Sequence, residues 1–382
     1  MPELFRAAKA MTMIPGAPVI NDAAILVHQG IIREIGTYAE LSPVFSGTVT
    51  DLGDILLVPG LINAHSHLEL AHLRGACPSG QGFVTWVEDL LTQPIFDLDE
   101  SLLKQALDEC RRTGTVMVGD IATRFAKRMA GELEASGLFF TVFTEAIGES
   151  LPKRTFIPAG AFEHGALSVA GHSLYTTHVN VLRAAKAESR QRSLPFSLHL
   201  AEHDDEVAIM AGEPSRFLEL LQGRGRLLDF QPPRKRPVQQ ASELGLLDPT
   251  TLAVHCVKVT DEDIETVRAS GATVCLCPRS NEFIGVGRSP WEKWIESGTP
   301  VCLGTDSLAS NTDLNLWNEV RYLKEHFNGE LSLESLLATV TRNPAAILGA
   351  GDYLGTLEPG KRAAFATVPD QILDLFQLSE EV

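Results

Sequence analysis

The sequence has no long apolar run, and it is short of positive charge and of aromatic residues. No stretch approaches the ~20 consecutive apolar residues of a membrane span, and the N-terminal residues lack the apolar segment and cleavage site of a signal peptide. Lysine and arginine number 32 against 49 acidic residues, which gives a net charge of -17. Because such a surface repels phosphate backbones and anionic lipid, we expect neither nucleic acid nor a membrane as a partner.

Cysteine is scarce and dispersed. Four of the six cysteines lie in apolar runs typical of buried strands, where a thiol behaves as a small hydrophobic group. The six are Cys77, Cys110, Cys256, Cys275, Cys277 and Cys302. This distribution predicts no disulfide framework, and with the missing leader it favours a cytoplasmic protein.

The length and apolar content predict a large core. A chain of 382 residues, 44% of them hydrophobic, is long enough for a barrel of ~250 residues and an accessory unit. Short β-like runs separated by glycines occupy both ends. We therefore predict a composite β-sandwich domain formed by residues 1–58 and 352–382, around a central domain at residues 59–351.

The central domain repeats one pattern eight times. A short apolar run is followed, in most cases, by a segment of helical character, such as the stretch from Thr260 to Gly271. Strands that are apolar throughout and alternate with amphipathic helices form parallel sheets buried on both faces. Eight such units predict an α/β protein with a (β/α)8 TIM barrel. The runs span residues 61–65, 115–120, 139–145, 167–172, 196–199, 252–255, 273–278 and 301–306.

Seven of these eight runs end at a titratable residue. Active sites of such barrels lie at the carboxyl ends of the strands, and polar residues without a shared role would be scattered along the strands instead. The seven are His65, Asp120, Glu145, His172, His199, His255 and Asp306.

The first strand ends in a His-Ser-His motif. Alternate residues of an extended segment point the same way, so His65 and His67 can reach one ion. Alone, such a pair is more often structural, but His199 and Asp306 supply further ligands. Three imidazoles and a carboxylate suit zinc or iron better than magnesium or calcium, and they leave a position open for water. The sequence therefore predicts a catalytic metal centre.

Four motifs in order resemble the amidohydrolase superfamily, and in particular its adenosine-type and S-adenosylhomocysteine deaminases and triazine chlorohydrolases. They are Pro-Gly-Leu-Ile-Asn-Ala-His-Ser-His at 59–67, His-Leu-Ala-Glu at 199–202, His-Cys at 255–256, and Leu-Gly-Thr-Asp-Ser at 303–307. The resemblance covers nearly the whole chain. One departure is Ala364, where the family usually has aspartate, but this position lies in the accessory domain.

The resemblance implies a role for each matching residue. It makes His65, His67, His199 and Asp306 the ligands of one divalent metal ion, with zinc favoured and iron as the alternative. Many relatives bind a second ion through a lysine at the end of the fourth strand, and this strand has none. Glu202 becomes the proton shuttle, and His255 polarises the water or the substrate. Asp306 can also take a proton from the attacking water.

Four further residues are candidates for substrate binding, and each has a structural alternative. His172 either contacts the substrate or supports the rim of the barrel. Glu69 either binds substrate hydroxyls or an amine, or it fixes His65 or His67. Arg279 and Asn281 either recognise a carboxylate and the edge of a heterocycle, or they support their loop.

These features predict a hydrolase that deaminates a purine-type small molecule by cleaving a C–N bond of a cyclic amidine. The segments His-Leu-Glu at 67–69 and Leu-Cys-Pro-Arg-Ser-Asn at 276–281 resemble the 6-aminodeoxyfutalosine deaminases of menaquinone biosynthesis. The alternatives are an S-adenosylhomocysteine or methylthioadenosine deaminase, or a triazine-type chlorohydrolase. A metal-free scaffold is a different class, against which the complete ligand set argues. Family members often form homodimers, but no interface can be identified from the sequence.

Overall fold

The computed structural model describes residues 1–149, 151, 162–226 and 230–377. Its strands are β1 (Glu3–Ala10), β2 (Ile20–His28), β3 (Ile31–Thr37), β4 (Thr48–Asp51), β5 (Leu56–Pro59), β6 (Leu61–Ser66), β7 (Thr115–Ala122), β8 (Phe139–Ala146), β9 (Gly165–Gly171), β10 (Phe196–Leu200), β11 (Thr251–His255), β12 (Thr273–Leu276), β13 (Val301–Leu303) and β14 (Phe365–Thr367). They belong to two sheets.

The helices surround the larger sheet and fill its long connections. The α-helices are α1 (Tyr38–Leu41), α2 (Phe83–Leu90), α3 (Glu100–Arg112), α4 (Ala126–Ser136), α5 (Val179–Gln191), α6 (Asp204–Ala211), α7 (Arg216–Gly223), α8 (Pro237–Glu243), α9 (Asp261–Ser270), α10 (Pro278–Ile284), α11 (Trp291–Glu296), α12 (Leu316–Glu325), α13 (Leu333–Ala338), α14 (Arg342–Ile347) and α15 (Asp370–Asp374), with 3₁₀ helices at Ser42–Val44 and Leu68–Leu73. Among the described residues, none is long and apolar enough to cross a membrane.

The larger sheet contains all eight predicted strands. Strands β6 to β13 lie side by side in chain order, and every recorded pairing is parallel. Its two edges approach each other, since Ser66 forms a parallel bridge with Asp306 and the His65 carbonyl accepts the Asp306 N–H at 3.0 Å. The sheet is therefore a nearly closed barrel, which confirms the predicted fold.

Burial explains why these strands could be recognised from the sequence. Every residue of β10 and β11 is buried, because the interior of the barrel covers one face and helices cover the other. Leu182 of α5 packs into the same core as Phe196 and Leu198 of β10. Helix α9 begins and ends as predicted, with a capping box at Thr260 and a left-handed Gly271.

The accessory domain joins both ends of the chain, as predicted. Its strands follow the order β14-β5-β1-β2-β3, and β4 also pairs with β1. A β-sandwich was predicted, but these six strands belong to one mixed sheet. The reason is that β1 pairs with β4 along its first half and with β5 near its end. Residues 378–382 of the predicted domain lie outside the described residues.

The chain passes from the smaller sheet to the larger one through Gly60. Strand β5 ends at Pro59 and barrel strand β6 begins at Leu61, so one residue separates the two sheets. A Cβ atom at position 60 would lie 2.3 Å from Cγ1 of Val116. Only glycine therefore lets the chain pass this close to β7. The six cysteines are free and buried, as the sequence predicted.

Candidate active site

Four histidines from three barrel strands meet at the carboxyl end of the barrel. The ring centroid of His65 lies 4.9 Å from that of His67 and 5.1 Å from that of His199. The His255 ring lies 5.5 Å from the His199 ring and 5.8 Å from the His65 ring. The strand ends thus bring together histidines that are up to 190 positions apart in the chain.

Three of these imidazoles form a cluster that fits a metal ion. One ring nitrogen from each of His65, His67 and His199 lies within 4.8 Å of the others. Oδ1 of Asp306 lies 3.7 Å from Nε2 of His65 and 3.5 Å from Nε2 of His67. Both ring nitrogens of His65 are buried without a hydrogen-bond partner in the described part of the chain. Because an unpaired buried polar atom is costly, this donor set fits a divalent cation.

The protonation state of the histidines agrees with metal binding. Burial, reinforced by the neighbouring imidazoles, lowers the pKa of His65 well below its usual value. Burial also lowers the pKa of His67 to about 3 and that of His199 below its usual value. Their imidazoles are therefore neutral at pH 7, which is the form that coordinates a metal.

Glu145, His172 and His199 form a second group whose ligand atoms lie within 4.8 Å of one another. However, Nδ1 of His199 donates to the His172 carbonyl at 2.9 Å, which leaves only its Nε2 for an ion. The geometry therefore favours one metal ion. The Oε1 atom of Glu145 is buried without a hydrogen-bond partner among the described residues and lies 3.7 Å from Nδ1 of His199. The strand-end pattern identified Glu145, but it indicated no role.

Asp306 is held in one orientation. Its Oδ2 accepts a hydrogen bond from Oγ of Ser280 at 2.6 Å, and its Oδ1 accepts the Ser307 N–H at 2.8 Å. Burial alone would raise the pKa of Asp306, but the His67 and His255 imidazoles and the Ser280 hydroxyl lower it below its usual value. Asp306 is therefore a carboxylate at neutral pH. The contribution of Ser280 was not predicted from the sequence.

Glu202 and His255 face each other across the mouth of the barrel. Oε1 of Glu202 lies 3.6 Å from Nε2 of His255. Burial, with the charges of Asp306 and Glu206, raises the pKa of Glu202 well above its usual value. Burial lowers the pKa of His255 to about 4. The site thus combines a carboxyl group that retains its proton more readily than an exposed one with a neutral imidazole.

The backbone is strained around these side chains. Four non-glycine residues at the mouth have left-handed φ angles: Ala201 (52°), His255 (72°), Cys256 (47°) and Asp306 (58°). Such angles cost free energy and persist only where the surrounding structure holds them, which is common at active sites.

The predicted substrate residues divide into two groups. His172 is half-buried, its Nδ1 contacts the Thr176 hydroxyl, and its ring lies 5.3 Å from that of His199, so it remains beside the cluster. Asn281 is buried, and its Oδ1 contacts Nδ1 of His255 at 3.0 Å, so it orients that ring.

Arg279 and Glu69 support the loops. The Arg279 guanidinium binds Asp313 at 2.7 Å and Glu319 at 3.4 Å, which corresponds to the supporting alternative. The Glu69 carboxylate accepts N–H groups at positions 123–125. Glu69 therefore supports the backbone at positions 123–125, and its two predicted roles stay predictions.

Comparisons with known proteins agree with this geometry. Residues 56–381 match the model of the Amidohydrolase family. A 5-methylthioadenosine/S-adenosylhomocysteine deaminase from Nitratidesulfovibrio vulgaris is 30% identical over 339 residues, which cover 83% of this chain and 71% of that protein.

Two solved structures share the fold over most of the chain. Aminofutalosine deaminase from Helicobacter pylori, in complex with methylthio-coformycin, has a TM-score of 0.84 at 21% identity and covers 100% of this chain and 96% of its own. An adenosine deaminase from Xanthomonas campestris with bound zinc has a TM-score of 0.79 at 23% identity, with coverages of 96% and 84%. The family match and the relative show that the chain belongs to the amidohydrolase family and is a hydrolytic deaminase, and the two solved structures share its fold.

Proposed function

We propose that this enzyme deaminates an adenine-containing small molecule, with one divalent metal ion held by His65, His67, His199 and Asp306. The observation that carries the proposal is the geometry of the barrel mouth, where the histidine cluster and Asp306 lie beside the buried pair Glu202 and His255. The two carboxyl groups there also differ in their pKa. The pKa of Glu202 is raised and that of Asp306 is lowered. Two carboxyl groups whose environments separate their pKa values can act as an acid and a base in the same reaction.

His65, His67, His199 and Asp306 would hold the divalent ion, which would supply Lewis acidity and so make hydroxide available from water at neutral pH. Zinc fits this donor set best, and iron is the alternative.

The side chains supply the proton transfers. Asp306 accepts a proton from the attacking water, and its Ser280 hydrogen bond fixes the direction of the accepting oxygen. Glu202 donates its proton to the ring nitrogen next to the carbon that carries the amino group. The carbon–oxygen bond forms at that carbon, and the proton held by Asp306 passes to the amino group. The carbon–nitrogen bond then breaks, ammonia leaves, and the hydroxyl proton returns to Glu202 as the carbonyl forms.

His255 contributes a neutral donor or acceptor next to Glu202. Its ring is fixed by Asn281 on one side and lies 3.6 Å from Glu202 on the other. A neutral imidazole in this position can polarise the attacking water or a substrate atom without adding a charge to the site.

Three adenine-containing substrates have support from two different observations. The sequence segments at 67–69 and 276–281 favour 6-aminodeoxyfutalosine. The relative at 30% identity, whose name gives methylthioadenosine and S-adenosylhomocysteine as substrates, favours those two. We place 6-aminodeoxyfutalosine first. The structural use of Glu69 and Arg279 means that these side chains do not distinguish between the substrates.

Release of ammonia from a panel of purified compounds tests the proposal. The panel contains 6-aminodeoxyfutalosine, methylthioadenosine, S-adenosylhomocysteine and adenosine, with a chlorinated triazine as the comparison. We expect turnover of at least one adenine compound and no loss of chloride from the triazine. Turnover of the triazine alone, or of no adenine compound, would contradict the proposal.

A further inference from the structure

Glu206 is a buried carboxylate next to the active site with no role in the chemistry described above. It lies in the first turn of α6 and is 1% exposed. Its Oε1 accepts the Ala201 N–H at 3.0 Å, and its Oε2 accepts the Glu202 N–H at 2.8 Å. One side chain therefore binds two consecutive backbone amides, one of which belongs to Glu202 itself.

These amides belong to the turn before the helix and not to the helix. The first turn of α6 has its own cap, because Nδ1 of His203 accepts the Glu206 N–H at 3.1 Å. Ala201 has a left-handed φ of 52° although it is not glycine. A residue in this conformation relaxes unless its surroundings hold it in place, and the Glu206 carboxylate binds the turn at that point.

The other side of the turn is bound to the segment that follows the strand carrying His255. The Ala201 carbonyl accepts the N–H groups of Val257 at 2.9 Å and Lys258 at 2.7 Å. The backbone of Ala201 is thus held from both sides, and Glu202 and His255 keep their 3.6 Å separation.

We propose that Glu206 is a positioning residue, whose carboxylate holds the turn at Ala201 and Glu202 and thereby directs the Glu202 side chain. This inference rests on the proposed function, since Glu202 is the proton donor there. It assigns to Glu206 no contact with the substrate or with a metal ion.

The first test is a double-mutant cycle between Glu206→Gln and Glu202→Gln, measured on the best adenine substrate. The glutamine amide cannot accept at its nitrogen, so one backbone N–H loses its acceptor. We expect kcat to fall about 10- to 100-fold with little change in KM or metal content, because small misplacements of a reacting group are costly. In the Glu202→Gln background, the same change should cost less than about 2-fold.

Asp205→Asn is the matched control. Asp205 lies in the same helical turn, but its Oδ1 accepts hydrogen bonds from the Ser215 hydroxyl and the Phe217 N–H. This variant removes the same charge without affecting the turn at Ala201, so we expect kcat within about 2-fold of wild type. An equal loss of kcat in Asp205→Asn, or an undiminished effect of Glu206→Gln in the Glu202→Gln background, would overturn the proposal.

Amide hydrogen exchange gives a second result that does not depend on activity. The amides of Ala201 and Glu202 should exchange faster in Glu206→Gln than in wild type, and not in Asp205→Asn. If the wild-type enzyme deaminates no adenine compound, the proposed function fails while the exchange experiment still decides whether Glu206 holds the turn. Unchanged exchange at both amides in Glu206→Gln would overturn the proposal.

Discussion

Two groups of buried polar side chains, one at each end of the barrel, differ in their hydrogen bonding. Near the start of β11, Lys186 is 1% exposed, and its Nζ donates to Asp248 at 2.6 Å, Thr250 at 2.9 Å and Thr251 at 2.7 Å. At the mouth, within the described residues, both ring nitrogens of His65, Oε1 of Glu145 and Nδ2 of Asn281 are buried without a partner.

This difference separates groups that hold the fold from groups that serve the reaction. A buried charge with all of its hydrogen bonds made stabilises one conformation. A buried polar atom without a hydrogen bond costs free energy. That cost is tolerated where a bound ligand supplies the missing partner. We therefore expect substitutions at the mouth to change activity and metal binding, and substitutions at the opposite end to change stability.

The largest effect is expected for Glu202→Gln. The variant cannot donate or accept the proton of a carboxyl group, so kcat should fall by about 100- to 10,000-fold. Its metal content should stay at the wild-type level, because Glu202 is outside the ligand set. Steady-state ammonia release and metal analysis on the same preparation check both points. A near-normal kcat would show that Glu202 is not the proton shuttle.

A second variant addresses the opposite end. Lys186→Met removes three hydrogen bonds and one partner of a buried ion pair, so it should lower the free energy of unfolding by about 3 kcal/mol. The activity of each folded molecule should not change. Lys293→Met is the control, since Lys293 and Asp261 form an exposed ion pair that should contribute under ~0.5 kcal/mol. Urea denaturation measures the free energy of unfolding of both variants. Equal losses in Lys186→Met and Lys293→Met would contradict the expected difference between the buried and the exposed ion pair.

The third prediction concerns pH and Glu319, which supports the loop around Arg279. Burial raises the pKa of Glu319 to about 7, against about 4.3 in an unfolded chain. At a pH between these two pKa values, Glu319 is mostly protonated in the folded protein and mostly ionised in the unfolded chain. Its contribution to the stability of the fold therefore falls as the pH rises. The stability deficit of Glu319→Gln relative to wild type should therefore shrink by ~2 kcal/mol from about pH 5 to about pH 8.

Urea denaturation of both proteins at the two pH values measures this change. A deficit that stays constant, or that grows with pH, would show that Glu319 is ionised throughout.

The smallest effect is expected for Glu145→Gln. Its unpartnered oxygen lies 3.7 Å from Nδ1 of His199, where a negative charge makes the imidazole a better ligand. The substitution should weaken metal binding about 10-fold, as measured by competition with a chromophoric chelator. Complete loss of the metal would indicate that Glu145 is itself a ligand. An unchanged metal affinity would show that Glu145 does not strengthen His199 as a ligand.

The barrel was predictable from the sequence for a physical reason. Parallel strands buried on both faces are apolar throughout, and their ends at the mouth are the places where polar residues follow. His65, His199 and Asp306 could therefore be identified together. The pairing of the accessory strands could not be predicted, because it depends on how β1 is shared between β4 and β5.

The supporting residues of the site were harder to predict. A position close to a metal-binding motif does not tell whether a side chain faces the pocket or a backbone amide, so the contacts of Glu69 with the amides at 123–125 could not be predicted. Glu206 lies in the first turn of a helix, where an acidic residue is usually solvated. Glu206 accepts hydrogen bonds from two backbone amides because of the turn at Ala201. No sequence pattern indicates the left-handed conformation of that residue.

The metal content of the purified enzyme tests the central claim most directly. We expect about one zinc or iron per chain in the wild-type protein and in Lys186→Met, and a loss of most of it in His67→Ala. Less than about 0.1 metal ion per wild-type chain, or an undiminished content in His67→Ala, would contradict the account of the barrel mouth as a metal centre.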